Sequence, residues 1–241
     1  MSTFVIVHGA WHHGELYEGV AAHLRAMGHT VHTPTLLGNG VGDSKQTTLE
    51  EAIGSLLDYF AENSIEDAVL VGHSWGGMVI TAAADRLPAG PIRRLVYWSA
   101  YVPHDGESLV DITPAVFGEM FTMLREEDGG VPMLYPVFRE ALINDADEET
   151  AKRFHAQLVT QPFNTMFDKV SLTRDPSDLA VGKSFLHCQE DMVYPASAGG
   201  WHPQFSERLG IYRFVSMPGS HEACLTTPDV AAAHLVKAGR D

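Results

Sequence analysis

Residues 71–77 read VGHSWGG and contain the pattern G-x-S-x-G, with Ser74 at its centre. The apolar run just before the pattern predicts a buried strand, and residues 78–84 after it favour a helix. A turn this sharp strains the backbone of its central residue and leaves room only for small residues two positions away. Gly72 and Gly76 meet that requirement. The stretch therefore predicts a strand, a tight turn and a helix, with the serine hydroxyl exposed at the turn.

Short apolar runs alternate with amphipathic helical segments over most of the chain. Strands are predicted at 4–7, 30–33, 68–71, 94–99, 184–188 and 212–216, and helices at 16–27, 49–63, 78–84 and 228–237. This alternation is typical of an α/β fold, in which helices flank a mostly parallel central sheet. Between residues 104 and 178 the pattern is helical and the alternation stops. We therefore expect a core of residues 1–103 and 179–241, with residues 104–178 inserted as a helical cap.

The composition is that of a globular enzyme and argues against several classes of partner. The 241 residues include 45% hydrophobic residues, and 16 Lys and Arg against 31 Asp and Glu give a formal net charge of −15. Nucleic acids and anionic membranes require a basic face, so neither is an expected partner. Cys188 and Cys224 are too few for a disulfide framework and are expected to be buried, apolar residues. Because the sequence shows neither a basic leader nor a membrane-length apolar run, we expect a cytoplasmic protein. Its oligomeric state is left open, a homodimer included.

A serine hydroxyl is a weak nucleophile, so Ser74 requires a nearby base to accept its proton. In chains that carry this turn, the base is a histidine in the loop after the last strand of the sheet. His221 occupies such a loop, between the predicted strand at 212–216 and the final helix. We therefore predict that His221 is the base.

The base in turn requires a carboxylate, which fixes its tautomer and stabilises its cation. Asp191 and Glu190 both follow the predicted strand at 184–188. We favour Asp191 because it lies further into the loop at the carboxyl end of the strand, where such sheets bind their ligands. Glu190 is the close alternative, and Asp105 and Asp111 are more distant ones.

Two backbone N–H groups are expected to stabilise the oxyanion that forms when the serine attacks a carbonyl. One belongs to Trp75, which follows the nucleophile, and the other to Ala10, in the loop after the first strand. A small residue at position 10 lets the backbone approach the substrate. The expected substrate pocket is apolar and aromatic, with the side chains of Trp11, His12, Tyr101, Phe117 and Phe121 as candidates.

His8, His12 and His13 form a cluster that would suit a zinc ion by composition alone. The spacing typical of two zinc ligands on one helix is missing, and the neighbouring glycines indicate a loop. We therefore expect no metal and no cofactor.

Residues 7–14 (VHGAWHHG), 71–78 (VGHSWGGM) and 219–221 (GSH) resemble the α/β-hydrolase superfamily. The likeness is greatest to the group that holds plant methylesterases, plant hydroxynitrile lyases and small bacterial esterases. It implies the α/β-hydrolase fold with residues 104–178 as the cap. It also implies a catalytic triad and an oxyanion hole, formed by Ser74 as nucleophile, His221 as base, Asp191 as acid, and the amides of Ala10 and Trp75.

Two positions depart from the lyases of this group, which carry a threonine in the first oxyanion loop and a lysine after the histidine. Here these positions hold Ala10 and Glu222, and a carboxylate near the site would repel departing cyanide. We therefore expect a carboxylesterase-like serine hydrolase that forms an acyl-enzyme from a small apolar or aromatic ester. A carbamate, a lactone or an activated amide would use the same machinery. The alternatives are a lyase-like enzyme that cleaves a C–C bond and a ligand-binding or receptor-like protein with little turnover.

Overall fold

The structure is a computed structural model that describes residues 1–194 and 199–241. Within these residues the strands are β1 Thr3–Val7, β2 Thr30–His32, β3 Ala68–His73, β4 Ile92–Trp98, β5 Gly130–Val131, β6 Gln161–Pro162, β7 Gly182–Cys188 and β8 Arg213–Met217. The α-helices are α1 Glu18–Ala26, α2 Leu49–Glu62, α3 Gly76–Arg86, α4 Ala115–Leu124, α5 Tyr135–Val137, α6 Glu148–His155, α7 Asn164–Phe167, α8 Ala223–Thr226 and α9 Pro228–Ala238. Shorter 3₁₀ turns span Gly14–Tyr17, Pro176–Asp178 and Ser206–Leu209, and a π-helical turn spans Phe138–Leu142.

The main sheet contains six strands in the order β2-β1-β3-β4-β7-β8, and all five neighbouring pairs are parallel. Chain order reverses between β1 and β3, so the loops that follow these two strands run in opposite directions. Open α/β sheets bind ligands in the crevice at such a point, outside the carboxyl ends of the strands. The topology therefore directs attention to the loops that follow β1 and β3.

Helices cover both faces of the sheet, as the alternating sequence predicts. Along β1, Val5 and Val7 join a buried cluster that includes residues of α2 and α3. Phe4 and Ile6, which point the other way, join a second cluster with residues of α1 and α9. Because successive strand residues face opposite sides, an unbroken apolar run can fill two cores at once.

Strand β3 extends two residues beyond its predicted end. Gly72 and His73 continue the ladder by pairing with Tyr97 and Trp98 of β4. Neither residue belongs to the apolar run, so hydropathy alone ends the strand too early. The extension delivers the chain directly into the turn at Ser74.

The segment between β4 and β7 contains helices α4 to α7, and also a small antiparallel sheet. In that sheet Gly130 pairs with Pro162 and Val131 with Gln161. Strands of two residues are too short to show a period in the sequence, which explains why they were not predicted. None of the helices in the described residues is long and apolar enough to cross a membrane.

Candidate active site

The turn after β3 has the strained geometry that its sequence predicts. Ser74 adopts a φ angle of +54°, in the left-handed region that side chains disfavour. A Cβ atom on Gly72 would lie 2.8 Å from the Gly76 carbonyl oxygen, and one on Gly76 would lie 2.7 Å from the His8 carbonyl oxygen. Both glycines are therefore required by close backbone approach, and the packed turn holds the Ser74 side chain at the edge of the sheet.

His221 and Asp191 lie in the loops after β8 and β7 and are hydrogen-bonded to each other. The His221 Nδ1–H donates to Asp191 Oδ2 at 2.6 Å, and both side chains are almost fully buried. The second oxygen, Oδ1, accepts from the Val193 N–H at 2.9 Å. The carboxylate of Glu190 instead accepts from the backbone N–H of Gly219. The structure thus places Asp191, rather than Glu190, against the imidazole.

The two more distant carboxylates serve local backbone structure. Asp105 accepts from the Leu172 N–H at 2.8 Å, and Asp111 accepts from the Ser108 N–H at 2.8 Å. Neither is hydrogen-bonded to His221.

The imidazole of His221 is enclosed by other aromatic rings. Trp201 stacks on it with the ring centroids 5.5 Å apart, and His73 lies against it at 4.5 Å. The Tyr17 hydroxyl lies 2.6 Å from His73 Nδ1, and His73 Nε2 donates to the His221 carbonyl at 3.1 Å. Burial, followed by the nearby His221, lowers the pKa of His73 well below its usual range, so His73 is neutral. A neutral ring with a hydrogen bond at each of its two nitrogens can hold the backbone of His221 without adding charge to the site.

The two predicted oxyanion amides differ from their neighbours in having no acceptor. The N–H of Gly9 donates to the Tyr17 hydroxyl at 3.1 Å, and that of Trp11 donates to Gln161 Oε1 at 2.9 Å. Within the described residues, neither the Ala10 nor the Trp75 N–H donates to the protein. Both residues border the same cavity as Ser74 and His221. Unpaired amides on a cavity wall are suited to receive a negatively charged oxygen.

The indole groups beside these amides are hydrogen-bonded to the segment between β4 and β7. Trp11 Nε1–H donates to the Val131 carbonyl at 2.8 Å, and Trp75 Nε1–H donates to the Thr165 carbonyl at 3.0 Å. The loop after β1 and the turn after β3 are therefore both connected to this segment.

The cavity above Ser74 has an empty volume of about 690 Å³, part of it open to solvent. Of the predicted pocket residues, Trp11, Tyr101, Phe117 and Phe121 line it. Further apolar lining comes from Leu109, Met120, Met133, Val137, Ala141, Leu142, Met192 and Val193. No Asp, Glu, Lys or Arg is among the described residues that form this lining. Ser74 and His221 share no hydrogen bond there, and such contacts are often loose until substrate is bound.

His12 does not line the cavity, and its prediction as a pocket residue is wrong. Its side chain is buried beneath the loop after β1 and lies 2.9 Å from the carboxylate of Glu222. Glu222 is fully buried as well and is also outside the cavity lining. The expectation that its carboxylate lies beside the substrate is therefore incorrect, although its charge still raises the pKa of His221.

The histidine cluster does not form a metal site in the part of the chain that the structure describes. His8 Nδ1 lies 2.8 Å from the Gly9 carbonyl, and its Nε2 accepts from the Leu36 N–H at 3.1 Å. His13 lies at the surface, 3.2 Å from the Gln157 carbonyl. Both cysteines are free and buried, as the sequence predicts.

Sequence reasoning missed Tyr17, His73 and Trp201 as neighbours of the site. His73 was present inside the quoted pattern, and its position before the serine was the available signal. The other two come from separate segments, and no local pattern marks them.

Comparisons with known proteins identify the family and the fold of the chain. The sequence model described as "Alpha/beta hydrolase family" matches residues 4–234. One solved structure is described as an extracellular alpha/beta-hydrolase from a Paenibacillus species with structural and functional homology to tobacco salicylic acid binding protein 2. The chain is 35% identical to it in sequence, with a TM-score of 0.95 and complete coverage of both chains. These findings confirm the predicted fold class.

Two relatives with named activities are similar over different lengths. The carbendazim hydrolyzing esterase of Nocardioides is 48% identical over 117 residues, which span 47% of this chain and 48% of the relative. The chain thus matches about half the length of that protein. Methylesterase 7 of Arabidopsis thaliana is 34% identical over 80% of this chain and 79% of its own. These relatives belong to the group that the sequence resembles.

Proposed function

The chain belongs to the alpha/beta hydrolase family and is an ester-cleaving enzyme, and from that premise we propose that it is a serine carboxylesterase for small, uncharged esters. The observation that carries the proposal is the arrangement around one apolar cavity. Within the described residues, His221, which is bonded to the buried Asp191, and the unpaired amides of Ala10 and Trp75 border the space beside Ser74. This set of groups is what acyl transfer through a serine requires.

The reaction begins when His221 Nε2 accepts the proton of the Ser74 hydroxyl. Ser74 Oγ attacks the ester carbonyl carbon, and the carbonyl oxygen gains a negative charge that the Ala10 and Trp75 amides stabilise. Asp191 stabilises the imidazolium through the Nδ1–H bond. His221 then gives its proton to the leaving alcohol oxygen, and an acyl-enzyme remains. Water, deprotonated by His221, attacks the acyl carbon; the bond from this carbon to Ser74 Oγ then breaks, His221 returns the proton to Oγ, and the acid is released.

The lining of the cavity supports an apolar or aromatic substrate without charge. Burying a carboxylate there would leave it without a cationic partner, which costs several kcal/mol. Two relatives are named for the hydrolysis of carbendazim and of pyrethroids, the second being a protein of Sphingobium wenxiniae that is 25% identical over 95% of this chain. An aromatic ester or a carbamate ester is thus the substrate class that we propose for this chain.

A lyase reaction has less support than hydrolysis, although for a different reason than the sequence suggested. Glu222 is buried outside the described cavity lining and contacts His12, so it would not touch a departing cyanide ion. The described lining nevertheless provides no Lys or Arg side chain to hold a departing cyanide ion.

The matched substrates p-nitrophenyl butyrate and mono-p-nitrophenyl succinate test the proposal. They share the leaving group and a four-carbon acyl chain, but succinate ends in a carboxylate. We expect kcat/KM for butyrate to exceed that for succinate by at least about 100-fold, since each tenfold corresponds to about 1.4 kcal/mol. Hydrolysis rates measured on wild-type protein check this. Equal rates for the two esters would contradict an uncharged substrate, and no hydrolysis of either ester or of a carbamate would refute the esterase proposal.

The pH dependence of kcat/KM should report the base. Burial lowers the pKa of His221. The carboxylate of Asp191, its hydrogen bond to the ring and the carboxylate of Glu222 together raise the pKa by more than burial lowers it, so it lies above the usual 6.5. The neutral imidazole is the active form, so activity should rise with pH through an inflection above 6.5. The rate of p-nitrophenyl butyrate hydrolysis is suitable because this substrate does not titrate. An inflection clearly below 6.5 would contradict the assignment.

A further inference from the structure

A buried pair of ionisable side chains lies directly behind the loop that carries Ala10. Glu222 is 0% exposed and His12 is 2% exposed, and His12 Nε2 lies 2.9 Å from Glu222 Oε2. The other ring nitrogen, Nδ1, lies 2.7 Å from the Ala10 carbonyl oxygen. One imidazole thus connects the residue that follows His221 with the loop after β1.

The hydrogen-bond partners of His12 determine where its protons lie. A carbonyl oxygen can only accept, so Nδ1 carries a proton and donates to Ala10. The Nε2–Oε2 contact then needs one further proton, on the nitrogen or on the oxygen. The pair is electrically neutral in either case, which is the form in which ionisable groups are tolerated in a protein interior.

The Ala10 N–H belongs to the Gly9–Ala10 peptide, and His12 bonds the peptide that follows it. A peptide group is planar, so holding the Gly9 carbonyl also holds the amide of Ala10. His8 Nδ1 bonds the Gly9 carbonyl at 2.8 Å, and His12 bonds the next carbonyl, that of Ala10. Two buried imidazoles therefore hold the peptide groups on both sides of Ala10. His12 is in turn held by Glu222.

A purely structural role would not need a carboxyl group here. Within the described residues, Oε1 of Glu222 has no hydrogen-bond partner, and its Oε2 has only one further contact, from Cys224 Sγ at 3.5 Å. Well-packed apolar residues often replace a buried ionic pair at no cost to stability. The directed contact to His12 is what an apolar residue would lose.

We propose that Glu222 and His12 are positioning residues that link the loop of the base to the loop of the oxyanion hole and hold the Ala10 N–H toward the substrate. The proposal rests on the proposed esterase function. Glu222 is absent from the described cavity lining, so apart from its charge, which raises the pKa of His221, it acts on the reaction through His12 and the Ala10 backbone. Glu222→Gln separates the two effects, because it removes the charge and keeps the link, and kcat is compared on the pH plateau of each variant.

Substitution of Glu222 tests this link. In Glu222→Ala the contact is lost, and we expect kcat for p-nitrophenyl butyrate to fall about 10- to 100-fold with KM changed less than about threefold, because small displacements of an oxyanion donor have large effects on rate. In Glu222→Gln the amide can donate to His12 Nε2, so kcat should return to within about threefold of wild type. Rates are normalised per active serine by titration with diethyl p-nitrophenyl phosphate. Cys224→Ala, which leaves the link intact, is the matched control and should keep wild-type kcat.

Several results would overturn the positioning role. One is a wild-type kcat per active serine in Glu222→Ala. Another is a fall in kcat in Glu222→Gln that is as large as the fall in Glu222→Ala. If Glu222→Ala does not fold, Glu222→Asp retains the carboxylate but is one methylene too short to reach His12, and a wild-type kcat there would also overturn it.

A measurement independent of turnover separates this proposal from the proposed function. In protein labelled with ¹⁵N-alanine, the Ala10 amide resonance should shift in Glu222→Ala and return toward its wild-type position in Glu222→Gln. An unmoved resonance in Glu222→Ala refutes the link even if the enzyme is an esterase. A shifted resonance in a protein without esterase activity would refute only the proposed function.

Discussion

Replacing Ser74 with alanine is expected to lower kcat for p-nitrophenyl butyrate by about 10⁴- to 10⁶-fold, the range found when a triad serine is removed. Ser74 has a left-handed backbone conformation and lines the cavity, where its hydroxyl is the proposed nucleophile. The amides and the His–Asp pair remain in Ser74→Ala, so the residual rate should stay above that of water alone. Steady-state hydrolysis with a detection limit of about 10⁻⁶ of wild type measures the effect.

The control for this prediction is Ser177→Ala, which removes an exposed hydroxyl away from the cavity and should leave kcat unchanged. Mass spectrometry of the quenched wild-type reaction should also find the butyryl group on Ser74. More than about 1% of wild-type activity in Ser74→Ala, or an acyl group on another residue, would place the nucleophile elsewhere.

Asp191→Asn is expected to produce the second large effect, a loss in kcat of about 10³- to 10⁴-fold. The carboxylate accepts the His221 Nδ1–H at 2.6 Å in a buried site, and an amide there favours the wrong tautomer and cannot stabilise the imidazolium. Kinetics at the pH optimum of each variant checks this, so that a changed pKa of His221 does not distort the comparison.

Glu190→Gln is the matched control because it makes the same chemical change one residue earlier. Its side chain can still accept the Gly219 N–H, so kcat should remain within about threefold of wild type. Equal losses in the two variants would mean that the loop depends on both carboxylates for its structure. A larger loss in Glu190→Gln would assign the acid to Glu190.

The parts of the fold that follow from local chemistry could be predicted from the sequence. Apolar runs indicate strands and glycines indicate tight turns, so the sequence predicts the turn at Ser74 and the order of the strands along the chain. The approximate positions of His221 and Asp191 followed from the loops that end parallel strands. The sequence alone could not show which of Asp191 and Glu190 contacts His221, because adjacent carboxylates differ only in the direction in which the backbone holds each side chain.

Contacts between distant segments could not be read from the sequence. His12 is predicted as a pocket residue because it follows Trp11 in a loop near the site, but the chain turns it inward toward Glu222, 210 residues later. The same reasoning misplaced Glu222 beside the substrate. The direction of a side chain in a loop depends on partners from other elements, and a single sequence carries no signal for them.

The two indole hydrogen bonds, from Trp11 to Val131 and from Trp75 to Thr165, restrict how this enzyme can be re-engineered. Exchanging residues 104–178 with the corresponding segment of a relative is an obvious route to a new substrate range, since this segment supplies about half of the residues that line the cavity. A transplanted segment that lacks acceptors at these two points would release the Trp11 and Trp75 side chains, beside the Ala10 and Trp75 amides. Such grafts should therefore retain the backbone around Val131 and Thr165 and vary α4 and the segment from α5 to Leu142. In this protein, substrate selectivity can be changed without loss of kcat only if these two hydrogen bonds are kept.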